Sequence, residues 1–397
     1  MRSIIIAISL LLSANVFSAD RYWVGGGSSA NWNATGPTNW AATSGGAGNQ
    51  TVPGASDNVF FDGSGNSAST ISTSITVLSF TIVSGYTSTI THIGTLTVAG
   101  NIKLATGYTV AGTTGITISA ASTMTSGGKT WPNNITLSGA FTRTLADNWT
   151  ISGALLLNGA AQVFNATTSE TFTCAGVTMQ NTTAAGTAKI IMSGGTWSGS
   201  SVLINDLDIA GNVTVSGSVA FNTKTLTYVS GTVTTTGSAL TLGGSCTMNT
   251  NGITWNNITS TNTTTTLTLN SNLTLSGTFT ISGGSNFTFA GSGAMTCATF
   301  AGTSTGGGVV TFNDGVTYTV TNALTFNTTR VGSKQSFTSD HASNKAFLVL
   351  SPGATCNVLL NFTRMDASGG RTIRSFNGTI TDCVNILAFN DIGTNKH

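Results

Sequence analysis

The sequence predicts an all-β chain coiled as a parallel β-helix (β-solenoid), and three observations carry that expectation. First, a short motif recurs as Asn148-Trp-Thr-Ile-Ser-Gly153, Asn212-Val-Thr-Val-Ser-Gly217 and Asn272-Leu-Thr-Leu-Ser-Gly277. Each copy follows a tryptophan at a nearly fixed distance: Trp131 precedes Asn148, Trp197 precedes Asn212 and Trp255 precedes Asn272. Second, short runs such as Gly94-Thr-Leu-Thr-Val98 and Thr278-Phe-Thr-Ile281 alternate apolar residues with Thr or Ser. That period of two puts one face of each strand inside and one in solvent. Third, only 7% of residues are charged, and Gly, Ser, Thr and Asn fill the space that charge normally occupies. A coil tolerates this, because its rungs hydrogen-bond to one another and stack their inner side chains.

Residues 1–18 read as a secretory signal, with Arg2 before the apolar stretch Ile4 to Leu12 and small residues ahead of Ala19. A secreted or cell-surface product is expected, with no membrane span, since no apolar run is long enough to cross a bilayer as a helix. Residues 19–69 form the next region, in which Trp23, Trp32 and Trp40 lie close together. Terminal repeats must close an open cross-section and an unpaired sheet edge, so this region is expected to be an N-terminal cap. The functional alternative is an exposed aromatic platform for sugar rings, with Trp23, Trp32, Trp40 and Trp149 as candidate binding residues.

From 70 to 328 the pattern is strand, turn, strand, with Gly, Asn and Ser supplying the turns. A super-repeat of about 60 residues divided by three gives rungs of about 20 residues, on the order of 13 in all, stacked at about 4.8 Å. From 329 to 397 Arg330, Lys334, Lys345, Arg364, Arg371 and Arg374 bring a modest basic surface to what reads as the C-terminal rungs and cap. A solvated end and an anionic-ligand site are the two readings of that surface. The five cysteines lack metal-type spacing, and Cys356 with Cys383 is the pair best spaced for a disulfide.

The head and tail carry a resemblance. Tyr22-Trp-Val-Gly-Gly, Trp32, Asn39-Trp40, Val52-Pro53 and Asp57-Asn-Val-Phe-Phe-Asp62 resemble the start of uncharacterised β-solenoid proteins encoded by aquatic phages and by bacteria with secreted or surface proteins. Lys129-Thr-Trp-Pro-Asn-Asn-Ile-Thr136, Asp366-Ala-Ser-Gly-Gly-Arg-Thr-Ile373 and Asn377-Gly-Thr-Ile-Thr-Asp382 are similar to their later parts. The resemblance implies a tail-fibre-like or adhesin-like role, virion-associated or, given the secretion signal, surface-exposed or released.

Catalytic chemistry is thinly supplied. Of eleven Asp and one Glu, the closest pair is Asp206-Leu-Asp208, which alternation places on one strand face. Such a pair is what acid–base work on a glycosidic bond uses. Asp62-Gly-Ser-Gly-Asn66 resembles part of a calcium loop but lacks its bidentate Glu. Gly302-Thr-Ser304-Thr-Gly306 matches a nucleophile elbow without the strand-to-helix context. Gly128-Lys129-Thr130 ends like a phosphate loop without its first glycine. His92, His341 and His397 do not cluster, so no catalytic residue, metal site or cofactor is assigned.

Without Arg2 the chain carries 13 basic and 12 acidic residues, which gives no electrostatic drive toward nucleic acid. The leading expectation is therefore a structural or adhesive solenoid that binds cell-surface glycans or other envelope components. An ice- or surface-binding solenoid is the alternative, motivated by Thr263-Thr-Thr-Thr-Thr-Leu-Thr268. A polysaccharide lyase or hydrolase is the third. Ice binding needs Thr at the same place in consecutive rungs, and motif copies starting unevenly at Asn148, Asn212 and Asn272 show no such column. A homo-oligomer stays open, with no coiled-coil heptad to specify it.

Overall fold

The computed structural model describes residues 18–159, 163–180, 189–199, 206–221, 224–282, 286–303, 307–326, 334–376 and 378–389. Among them every regular element is a β-strand, and the strands wind as a parallel β-solenoid of about 13 turns. Among the described residues no helix is long and apolar enough to cross a membrane. The proposed signal at 1–18 lies, but for Ser18, outside the described residues. The chain divides into two compact units, Met1–Gly112 and Thr113–His397.

In the first unit each turn supplies three short strands, such as Ser69–Ile71, Ile75–Val77 and Ser79–Ile82. Asn58 pairs with Ser79 and Ile75 with Leu96, equal steps that match the expected rung. Val59, Phe80 and Ile102 stack inward as a buried ladder. Parallel pairing begins earlier than residue 70, because Asp20 already pairs with Asn58. The start is sealed in two places. Strand Trp40–Ala41 runs antiparallel along Asp20–Trp23, and Asn31 bridges Thr70 at the head of the neighbouring face. Trp32 N donates to Thr70 O and Thr70 N to Ala30 O, so these edges are not left open.

Beneath this cap lies a compact aromatic cluster. Trp40 packs edge-on against Trp23 and Trp32, both at 5.2 Å, and Phe61 lies 5.6 Å from Trp23. The indole N–H groups are satisfied, Trp23 by Ser67 O at 3.1 Å and Trp40 by Trp32 O at 2.8 Å. Burying aromatics while pairing their polar atoms is what makes such a cap stable.

The second unit holds the longer ladders. Ile116, Ile135, Leu155, Val177, Trp197 and Val215 stack in register, all buried. A second column runs through Trp149, Phe172, Ile190, Leu207, Leu226, Met248 and Leu269. Each such side chain contributes roughly 1.5–3 kcal/mol by leaving water. Further along, phenylalanines fill the interior: Phe337 lies 5.0 Å from Phe312, 4.9 Å from Phe326 and 5.5 Å from Phe362.

The recurring motif acquires a physical meaning here. Trp131 pairs with Ile151, Trp197 with Val215 and Trp255 with Leu275. Each tryptophan thus sits one rung below the second apolar residue of its motif. The three copies do not, however, share one face. The first copy belongs to the Trp149 column and the second to the Trp197 column, and both columns cross the single long strand Asp206–Ser216. The corner between them is lined by glycine. Gly195 has φ +76°, and a Cβ there would lie 1.8 Å from Ala175 O. Rungs are also unequal in the length of chain they use: the turn from Ile373 to Ile386 is far shorter than the turn from Ala323 to Thr355.

Candidate functional site

The tryptophans offer no platform. Trp23, Trp32, Trp40 and Trp149 are all at most 2% exposed, so none presents a ring face to a sugar. Their role is the cap and the inner ladder. The cysteines are all free thiols, Cys356 and Cys383 included, and the expected disulfide is not formed.

Neighbouring rungs bring partners to Asp206 and Asp208 that the sequence hid. Lys189 is in register with Asp206 and reaches across to Asp208, with Nζ 2.9 Å from its carboxylate. A cleft of about 380 Å³ beside them is lined by Thr168, Ser169, Glu170, Thr171, Lys189 and Asp206. Glu170 is held down to about 2 by the Thr168 backbone N–H and the Thr167 hydroxyl, so it stays ionised at neutral pH. Asp208 is paired with Lys189, and Glu170 is held by its own turn.

The turn motifs are likewise occupied from within. Asp62 Oδ1 accepts from Ser64 N and Oγ, and Asn66 Oδ1 from the Thr87 and Ser88 N–H groups. The turn before Lys129 does hold an anion, but it is the chain's own. Ser126 N and Gly127 N each donate to the Asp147 carboxylate at 2.7 Å. Ser304 of the elbow-like motif lies outside the described residues, as does His397. His92 is buried and His341 sits in an exposed turn beside Ser343. Among the described residues no three His, Cys, Asp or Glu side chains gather in a metal-binding group.

Two surfaces remain, both in the second unit. The first is a threonine column that corrects the expectation of none. Thr266, Thr288, Thr311, Thr338, Thr363 and Thr381 pair consecutively, one per rung. Alternation along each strand turns them outward while Leu267, Phe289 and Phe312 point in. Among the described residues the hydroxyls of Thr266, Thr288, Thr311, Thr363 and Thr381 make no hydrogen bond. The Thr338 hydroxyl donates to Ser339 O and accepts from Arg364. Thr264, Asn286, Ser336 and Asn361 flank the column on the N-terminal side of their strands, interrupted by Val309. At about 4.8 Å per rung, the threonines span roughly 24 Å.

The second is a cleft of about 610 Å³ lined by Thr355, Cys356, Arg371, Thr372 and Arg374. Its walls are strands Thr355–Val358 and Ile373–Phe376, which pair at Val358 and Ser375. Ser375 Oγ donates to Leu360 O at 2.6 Å, and the Thr372 hydroxyl donates to Asn385 Oδ1 at 2.6 Å. Arg371 is oriented by a hydrogen bond to Ala354 O. Arg374 is exposed, and its side chain makes no hydrogen bond or ion pair among the described residues. Burial pushes the Cys356 thiol up despite the opposing pull of the Arg374 backbone contact and the Arg371 charge, so it stays neutral. No family model, no curated protein and no solved structure matches the chain.

Proposed function

We propose that this protein is a structural and adhesive solenoid that docks its threonine-lined face on neutral, hydroxyl-rich glycans of a cell surface. The observation that carries the reading is the column of threonines on consecutive rungs, from Thr266 to Thr381. Strand propensity alone favours Thr at half-buried outer positions, but Val or Ile serves propensity equally well. A hydroxyl left without an internal partner adds donors and acceptors at a fixed interval. Such an array suits an extended polymer whose hydroxyls also repeat, since each new rung adds the same small contact and the total grows with length. The near absence of charge makes the interaction insensitive to salt.

The test is binding of the mature chain to a glycan array, to insoluble polysaccharides and to intact bacterial cells. Saturable binding that survives moderate salt is expected, and Thr311→Lys, in mid-column, is expected to weaken it at least tenfold without unfolding the chain. Undiminished binding by that variant would place the contact elsewhere and refute this face as the site.

The same column supports a second reading, adsorption to ice, because ordered water also presents a periodic set of hydrogen-bonding groups. Thermal hysteresis in dilute solution, abolished by Thr311→Lys, distinguishes it from glycan docking.

A further inference from the structure

We infer that the cleft between strands Thr355–Val358 and Ile373–Phe376 binds the oxyanion group of a small, sugar-sized ligand. The inference is independent of the threonine column. Two of the chain's seven arginines open on this one cleft. In a chain so poor in charge, two guanidiniums lining one cleft call for an explanation, because among the described residues no carboxylate lines it. Lys345, by contrast, has its partner in Asp382 at 3.2 Å, and Lys189 in Asp208.

The remaining lining is uncharged and suits the hydroxyls of a ligand that carries the anion. Thr355 and Thr372 bring hydroxyls, and Cys356 brings a neutral thiol. The Thr355 hydroxyl lies 3.4 Å from Asn322 O, and the Thr372 hydroxyl, bound to Asn385, keeps lone pairs for a ligand O–H. A guanidinium offers a planar fork of donors that matches phosphate, sulfate or carboxylate in bidentate fashion. Arg371 is already aimed by Ala354 O, which lowers the ordering cost on binding. The cleft's volume of about 610 Å³ exceeds that of an inorganic ion and falls in the range of small-molecule sites. A phosphorylated or otherwise acidic monosaccharide fits both the size and the donor set.

The test uses the full mature chain with three probes, glucose 6-phosphate, glucose and inorganic phosphate, followed by titration calorimetry at low and moderate salt. Glucose 6-phosphate is expected to bind, more weakly as salt rises, and glucose not at all. Tighter binding of glucose 6-phosphate than of inorganic phosphate identifies a sugar-borne anion. Equal binding of the two identifies the free ion as sufficient and still supports an oxyanion site. Arg374→Gln is expected to cut affinity at least tenfold, and Arg374→Lys to restore only part of it, because a point charge does not replace a fork. Among the described residues the Arg374 side chain holds no hydrogen bond or ion pair, so both variants should melt like the parent, and their melting is measured alongside. The inference is overturned by no binding of either phosphate, by equal binding of glucose, or by an Arg374→Gln variant that binds as the parent does.

Discussion

Arg143→Met is the most searching perturbation of the coil. Arg143 is 0% exposed, enclosed in the second unit between Ser122 and Phe164 of the adjacent rungs. Among the described residues no carboxylate pairs with it. Instead the guanidinium donates to four main-chain carbonyls: Gly139 O at 3.2 Å, Phe141 O at 3.1 Å, Ile118 O at 3.0 Å, and Ser138 O. Burial pushes its pKa down to about 10, so it remains a cation at neutral pH. Methionine keeps much of the volume and removes every donor.

Two of the four carbonyls keep another donor, since Gly139 O also accepts from Phe141 N and Phe141 O from Val163 N. The loss therefore falls chiefly on Ser138, because Ile118 also lies in the ladder opposite Leu137. An unsatisfied buried group costs about 1–3 kcal/mol, and removing a desolvated cation returns part of that. A net loss of about 1–2 kcal/mol is expected, which is about 5- to 30-fold in an opening equilibrium. Solenoid rungs interact chiefly with their neighbours, so the damage should be local. Amide hydrogen exchange is the assay: protection should fall in Ile116–Ile118, Ile135–Ser138 and Thr142–Leu145 but hold in Gln335–Ser339. Unchanged or increased protection near residue 143 would refute the reasoning, because it would mean that desolvating the cation outweighs the bonds it makes.

Other outcomes follow from buried titratable groups. Burial pushes His92 down to about 4, so the folded first unit keeps it neutral while the unfolded chain takes up a proton near its ordinary 6.5. Stability is then fully present above pH 6.5 and falls as pH drops toward 4, by at most about 3 kcal/mol. Denaturant titrations across that range should show the decline, and His92→Gln should flatten it; an unchanged slope in the variant would assign the acid sensitivity elsewhere. Cys174, Cys246 and Cys297 are buried, and desolvation pushes each up to about 12. Alkylation of the native protein at pH 8, read by mass spectrometry, should therefore label Cys356 and Cys383 first. Early labelling of Cys174 would contradict the closed core.

The coil was legible because its signal is local. Alternation in Thr278-Phe-Thr-Ile281 says which residues point inward whatever the rung is doing, and Thr280 does face out while Phe279 and Ile281 are buried. Register was not legible, because it depends on how much chain each connection absorbs. The threonine column is the clearest case: the step from Thr311 to Thr338 is much longer than the step from Thr363 to Thr381, so no fixed period finds its members. Lys189 escaped association with Asp208 for the same reason, lying one rung away across residues 190 to 207. The recurring motif misled in a different manner. It marks a tryptophan stacked beneath a branched or leucine side chain, a local packing unit that occurs on more than one face, and spacing cannot tell a unit from a period. Arg371 and Arg374 were visible as basic residues, but the cleft they share depends on strands Thr355–Val358 and Ile373–Phe376 meeting, which composition does not reveal.

The sealed start of the first unit bears on how copies of this chain can polymerise. Growth of a β-structure by end-to-end addition requires an exposed ladder that templates the incoming strand. On the face of Asp20–Trp23 that ladder is covered at Tyr22 and Trp23 by a strand of opposite direction, and on the face of Ser69–Ile71 at Thr70 by the bridge through Asn31. An arriving copy finds these positions already paired, and the aromatic cluster beneath them is enclosed. Pairing at Tyr22, Trp23 and Thr70 is thus expected to hinder head-to-tail templating on these two faces, while it places no restriction on lateral contact through the outer faces.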